Sequence, residues 1–189
     1  MPQPNFCLVE AAAMDVQQFL HEYTRGDRSF VGVRLHRADL RGVNLSGIDL
    51  RGADLSQAAL DGADLSRANL DRANLSDTDL TGADLSGAIL RHTNLIGADL
   101  RRASLVGADF SQADLRMANL EQADLRGAIL CEVILSGANL TNANLISAWI
   151  ENTSMEEAEL DGANLNLLRH CGMDAPLAGE SRWISWGIH

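Results

Sequence analysis

An apolar residue stands at every fifth position from Phe30 to Leu165. These 28 centres comprise 24 Leu, two Phe (Phe30, Phe110), Ile150 and Met155, and no insertion interrupts the run. A period of five excludes both ordinary ways of burying such a series. On an α-helix, at about 100° per residue, the leucines would wind around the whole surface. In a continuous strand, an odd step would place successive centres on opposite faces. The period is satisfied when each pentapeptide is a short extended piece followed by a turn. Ala occupies the position two before the centre in 20 of 28 repeats, and Asp or Asn the position one before it in 18 of 28. In an extended piece the Ala and Leu then share the inner side, and the residue between them points out. Twelve of the 16 Gly fall two residues after a centre, where a corner needs permissive backbone angles.

Stretches such as Ala53-Asp54-Leu55-Ser56-Gln57 and Ala63-Asp64-Leu65-Ser66-Arg67 resemble the pentapeptide repeat family, whose pattern is A(D/N)LXX. The resemblance covers about three quarters of the chain. It implies an all-β solenoid, a right-handed quadrilateral β-helix with four pentapeptides, or 20 residues, per coil. Twenty-eight repeats then make about seven coils, roughly 34 Å long at about 4.8 Å per coil. The spacing of the rarer residues also fits 20: Phe30 and Phe110 are 80 apart, and Ile89, Ile129 and Trp149 are separated by 40 and 20. The expected organisation is an N-terminal segment with a capping helix (1–27), the repeat β-helix (28–167) and an irregular C-terminal cap or tail (168–189).

Leu stacked over Leu, with Ala beside it, fills the interior and leaves no room for a substrate pocket. Thr78, Thr93 and Thr153 replace Ala, and each is expected to satisfy its hydroxyl on nearby backbone. Arg28 cannot be buried unpaired, so the regular coil is expected to begin near Phe30. A solenoid exposes core at both ends and needs caps. Asp15 precedes Val16, Phe19, Leu20 and Tyr23, spaced as one face of a short helix, with Gln18 at the capping-box position and Gly26 as terminator. This predicts a plug over the first coil. After Leu165, Leu167 and Leu168 are candidates to cover the last coil. Ile184, Trp186 and Ile188 alternate with small residues, as an extended edge segment does.

Stacking by 20 sorts the outer residues into columns. Asp39, Asp79, Asp99 and Glu159, beside Asp64, Asp84 and Asp124, form an acidic side, and interspersed Asn residues relieve its repulsion. Arg41 with Asp61 and Arg101 with Glu121 read as surface pairs between coils. Ile89, Ile129, Ile134 and Trp149 stand where Asp or Asn is the rule, and so form an apolar outward patch. With Trp183, Ile184 and Trp186 they make the candidate interaction patch. Tail and patch are expected to belong to one another, within one chain or across a C-terminal homodimer.

The chain carries 15 cationic residues, all Arg, against 26 acidic ones, a net charge of -11. This argues against direct nucleic-acid binding and against anionic membranes. No apolar run is long enough to span a bilayer, and the first residues lack the marks of a signal peptide. Cys7, Cys131 and Cys171 are odd in number and lack C-x-x-C spacing, which signals neither a disulfide framework nor a zinc site and suits a reducing, cytoplasmic setting. The five His show no metal-ligand spacing, no phosphate-binding glycine loop occurs, and the regular acids are surface rather than an acid/base dyad. No catalytic, cofactor or metal site is expected, and the chain is read as a noncatalytic interaction or scaffold protein with a protein partner. The resemblance implies one alternative: some members of the family act as DNA mimics on a type II topoisomerase, gyrase, in quinolone resistance.

Overall fold

The computed structural model describes residues 15–170. Its plan follows from where the backbone bonds of each pentapeptide go. The residue before each centre pairs in parallel with the residue 20 further on, from Ser29↔Asp49 through Asn144↔Asn164. In the first two coils Leu40 N–H donates to Ala59 C=O at 2.8 Å and Gly42 N–H to Asp61 C=O at 3.0 Å. Within the repeat, Ala63 N–H donates to Leu60 C=O at 3.0 Å, closing a β-turn across the corner. The register is therefore 20 residues, with four extended pieces and four corners per coil. We number the four sides by their centres: the first holds Leu50 and Leu70, the second Leu55, the third Leu60 and the fourth Leu65.

The corner residue two after each centre has a positive φ in every repeat. Twelve are Gly, and sixteen are not, including Gln57, Arg102 and Met117 at φ near +58°. A left-handed residue that is not Gly costs about 1–2 kcal/mol. The fold therefore overrides local preference at more corners than it accommodates with Gly.

Inside, every centre from Leu35 to Leu145 is at most 2% exposed, and the inner Ala from Ala53 to Ala148 at most 1%. Full burial of such a side chain is worth about 1.5–3 kcal/mol, repeated at each step. Thr78 and Thr93 donate to Leu55 C=O and Leu70 C=O of the coil below, at 2.9 and 3.0 Å. Thr153 does the same to Leu130 C=O from a half-buried position.

The N-terminal helix, α1 (Val16–Thr24), closes the first coil. Phe19 is fully buried and meets Phe30 edge-on, with ring centroids 4.7 Å apart. Tyr23 donates its hydroxyl to Ser46 C=O at 3.1 Å. Asp15 caps the helix by accepting from Gln17 N–H, but the capping box does not form: Gln18 reaches forward to Glu22 at 2.9 Å instead. Arg28 stays exposed, lies 4.0 Å over the Tyr23 ring and donates to Tyr23 C=O, and the ladder starts beside it.

At the other end three short strands make a parallel sheet on the first side: β1 (Ile129–Cys131), β2 (Trp149–Glu151) and β3 (Arg169–His170), with Ile129↔Trp149 and Trp149↔Arg169 in register. Met155, Leu160 and Leu165 of the last coil are only half-buried, in contrast to the centres beneath them. No helix among the described residues is long and apolar enough to cross a membrane.

Candidate interaction faces

With the interior filled, the coils present only their outer columns to solvent, and these are built on one device. In the repeat, the N–H of the residue after each centre has no partner in the ladder. The Asp or Asn before the centre supplies one. All eighteen residues of this kind accept from the N–H two positions on, at 2.9 to 3.4 Å, as Asp64 does from Ser66 and Asn139 from Thr141. The requirement is an oxygen at that distance, which Asp and Asn share and longer side chains do not place there. The signal for it was present in the sequence: the column tolerates loss of charge but prefers one side-chain length.

The set read as an acidic side occupies the third and fourth sides, where Asp79 lies next to Asp99 and Asp64 next to Asp84 in the ladder, while Ala59 and Ser104 interrupt the two columns. Its charge is unevenly exposed. Arg41 binds Asp39 at 2.6 Å, Arg101 binds Asp99 at 2.6 Å, and Arg126 binds Asp124 at 2.7 Å. The Arg41 and Arg101 pairs therefore form within one pentapeptide, and not between coils with Asp61 and Glu121: two residues along an extended piece bring the guanidinium alongside both carboxylate oxygens. The Arg41 guanidinium holds the Asp39 carboxyl well below the usual range, at about 2. Asp99 and Asp124 are lowered for the same reason, by Arg101 and Arg126. Asp64, Asp79, Asp84 and Glu159 make no ion pair among the described residues.

The apolar group is tighter than the sequence suggested. Ile129 and Trp149 are direct partners on the first side, and Ile134 follows Cys131 around the corner onto the second, 39% exposed. Ile146, half-buried, precedes Trp149 at the corner between the fourth and first sides, and the Arg169 guanidinium sits 5.3 Å over the Trp149 ring. Ile89 is separate. Asp109 intervenes between it and Ile129 in the ladder, almost buried and bound by Arg91 at 2.6 Å. Trp183, Ile184 and Trp186 lie outside the described residues. Cys131 is disulfide-bonded, although the number and spacing of the cysteines signal no disulfide framework. A total of three cysteines leaves room for one bridge.

Among the described residues an open cleft lies between α1 and the first coil, lined by Leu20, Tyr23, Arg28 and Val43. His36 meets Ser56 and His92 meets Asp71, as surface pairs between coils. No cluster of metal ligands occurs among the described residues.

These columns and this register have counterparts. No curated protein matches the chain. Among solved structures the chain is similar to HetL, a pentapeptide repeat protein involved in heterocyst differentiation regulation from the cyanobacterium Nostoc sp. strain PCC 7120, at 27% identity over 82% of this chain and 94% of that one, with a TM-score of 0.44. It is 40% identical to a second pentapeptide repeat protein from Nostoc, over 57% of this chain and 82% of that one, with a TM-score of 0.42. QnrB1, a plasmid-mediated fluoroquinolone resistance protein, superposes with a TM-score of 0.64 at 20% identity, over 77% of this chain and 86% of that one, a likeness of fold. The model of pentapeptide repeats matches in eight copies, over residues 29–57, 48–87, 78–116, 118–156 and 138–166. With most of its length so matched, the chain belongs to the pentapeptide repeat family.

Proposed function

We propose that the protein is a noncatalytic interaction scaffold: a right-handed quadrilateral β-helix whose third and fourth sides bind a protein partner through rows of carboxylates and amides. The right hand is the rule for parallel strands joined by crossovers in one sheet. The observation that carries the reading is the closed core, whose centres and inner Ala are almost fully buried over six coils, so that binding falls to the outside. A fixed step of about 4.8 Å between coils makes each row a ruler against which a partner's basic or amide groups can be set.

The corner device provides a clean test. Asp64, Asp79 and Asp84 changed together to Asn keep the oxygen that accepts the corner N–H and lose only the charge. Affinity capture from the source cells, quantified by mass spectrometry, is expected to lose with this triple variant a partner that the unaltered chain retains. An identical captured set would reject the acidic sides as the binding surface.

A second reading is a DNA mimic acting on a type II topoisomerase, supported by the adjacent acidic columns. The Arg partners of Asp39, Asp99 and Asp124 weaken it, since they neutralise much of what a mimic would display. Gyrase supercoiling and quinolone-trapped cleavage are expected to be unchanged by micromolar protein. Inhibition or protection that fades with added salt would reverse the ranking.

A further inference from the structure

We infer that the chain associates with itself head to tail, the open last coil of one copy receiving the N-terminal end of the next in the same rotational phase. The C-terminal end is unfinished. In the coils beneath, each centre N–H donates to the coil above, but the N–H groups of Met155, Leu160 and Leu165 have no such partner among the described residues, and their side chains are half-buried. β3 adds a further step on the first side alone, over Trp149 and Ile150. The other three sides end in an unpaired edge over exposed core, a surface that sheets and solenoids cover or guard.

Charge decides what such an end can receive. The last coil, residues 148–167, holds five acids, Glu151, Glu156, Glu157, Glu159 and Asp161, and no Arg. All five are exposed, and none makes an ion pair among the described residues. Two such ends would set acid against acid, so a contact between like ends is disfavoured. The first coil, residues 28–47, is the reverse: Arg28, Arg34, Arg37 and Arg41 stand against Asp39 alone.

The opposed charges also agree in position. An incoming first coil, set in phase on the 20-residue register, places His36 over Glu156, Arg37 over Glu157 and Arg41 over Asp161, along the second and third sides. Asp39 over Glu159 is the one like-charged pair, and Arg41 already binds Asp39 at 2.6 Å. The corners of the last coil are Asn152, Glu157, Gly162 and Leu167, so any quarter-turn takes Arg37 off the one acidic corner. α1 lies between the two coils, packed on Phe30 and Ser46 of the first and fourth sides. A helix is about 10 Å across, and Arg and Glu are long enough to meet past its flank on the other two sides. Gln17, exposed on α1, brings to the open edge an amide that both donates and accepts. The two surfaces differ, so the contact is heterologous and repeats into a line instead of closing. The end of the rod is small, which makes the contact weak and dependent on its charges.

The test is sedimentation velocity on the full chain. At low ionic strength the weight-average mass is expected to rise with concentration to more than twice that of the monomer, without a plateau at the dimer, and to fall back in about 0.5 M salt. A monomer at every concentration, a dimer that concentration does not extend, or a mass indifferent to salt would overturn the proposal. Two charge-reversed variants test the ends themselves. Arg37→Glu with Arg41→Glu reverses the N-terminal end, and Glu157→Arg with Asp161→Arg the C-terminal one. Each alone is expected to stay monomeric with the circular dichroism spectrum of the unaltered chain. Their equimolar mixture is expected to associate again, because every end of one then meets an end of opposite sign on the other. Single variants that associate as the unaltered chain does, or a mixture that stays monomeric, would reject the pairing of these ends.

Discussion

Single residues in this protein are chosen for one atom each. The Asp84 carboxylate matters to the fold because its Oδ1 accepts Ser86 N–H at 2.9 Å. Asp84→Asn is therefore expected to leave stability within about 0.5 kcal/mol, and Asp84→Ala to lose about 0.5–1.5 kcal/mol, by urea denaturation. Equal losses would show that charge, not the corner bond, is what the position supplies. The left-handed corners invite the opposite experiment. Gln57→Gly relieves a φ of +58° and is expected to gain up to about 1 kcal/mol. Gly107→Val, at φ +65° in open space, is expected to lose more than that, purely through its backbone. The inner column of Leu and Ala was wholly legible, since a period of five admits so few solutions. The reason for Asp and Asn showed only as a preference for one side-chain length, because a row of acids reads as charge until the bonds are traced.

Among the elements, coils are equivalent in sequence and unequal in circumstance. Leu100 is sealed between neighbours above and below, whereas Leu165 in the last coil is half-buried. Leu100→Ala is expected to cost about 2–5 kcal/mol and Leu165→Ala clearly less, in the same titration, because a terminal coil can fray without opening the rest. Matching losses would mean that the C-terminal end is as firmly closed as the middle. α1 was recognisable from its apolar spacing and its Asp cap, and it plugs the first coil as expected. Its Gln18 side chain was misread, since a capping-box position says where a residue stands and not which partner offers the better bond. The apolar group was visible as departures from the repeat. The separation of Ile89 from it needed the ladder that places Asp109 between.

For the molecule as a whole, acid tests which of two electrostatic effects dominates. A net charge of -11 repels itself, so protonation should relieve the folded state. Against this, Asp39, Asp49, Asp54, Asp99, Asp109, Asp114 and Asp124 have lowered pKa values. Arg41, Arg51, Ser56, Arg101 and Arg126 hold five of them down, and Asp109 and Asp114 are lowered despite burial, by bonds to Ser111 and Arg116. A depressed carboxyl contributes stability above its unfolded pKa near 4 and loses it as pH falls through the folded value. The melting temperature is expected to be level above about pH 5 and to drop between about pH 4 and pH 2. A rise on acidification would show that repulsion outweighs these local bonds. The 20-residue register also separates two kinds of information. Remove five residues, such as 116–120, and every downstream Leu and Ala still faces inward, while every downstream surface residue is carried a quarter-turn to the neighbouring side. Remove twenty and each returns to its own side, one storey lower. The lumen is blind to phase and the exterior records it, so a lineage of such chains could re-dial its display by small deletions without altering what holds it together.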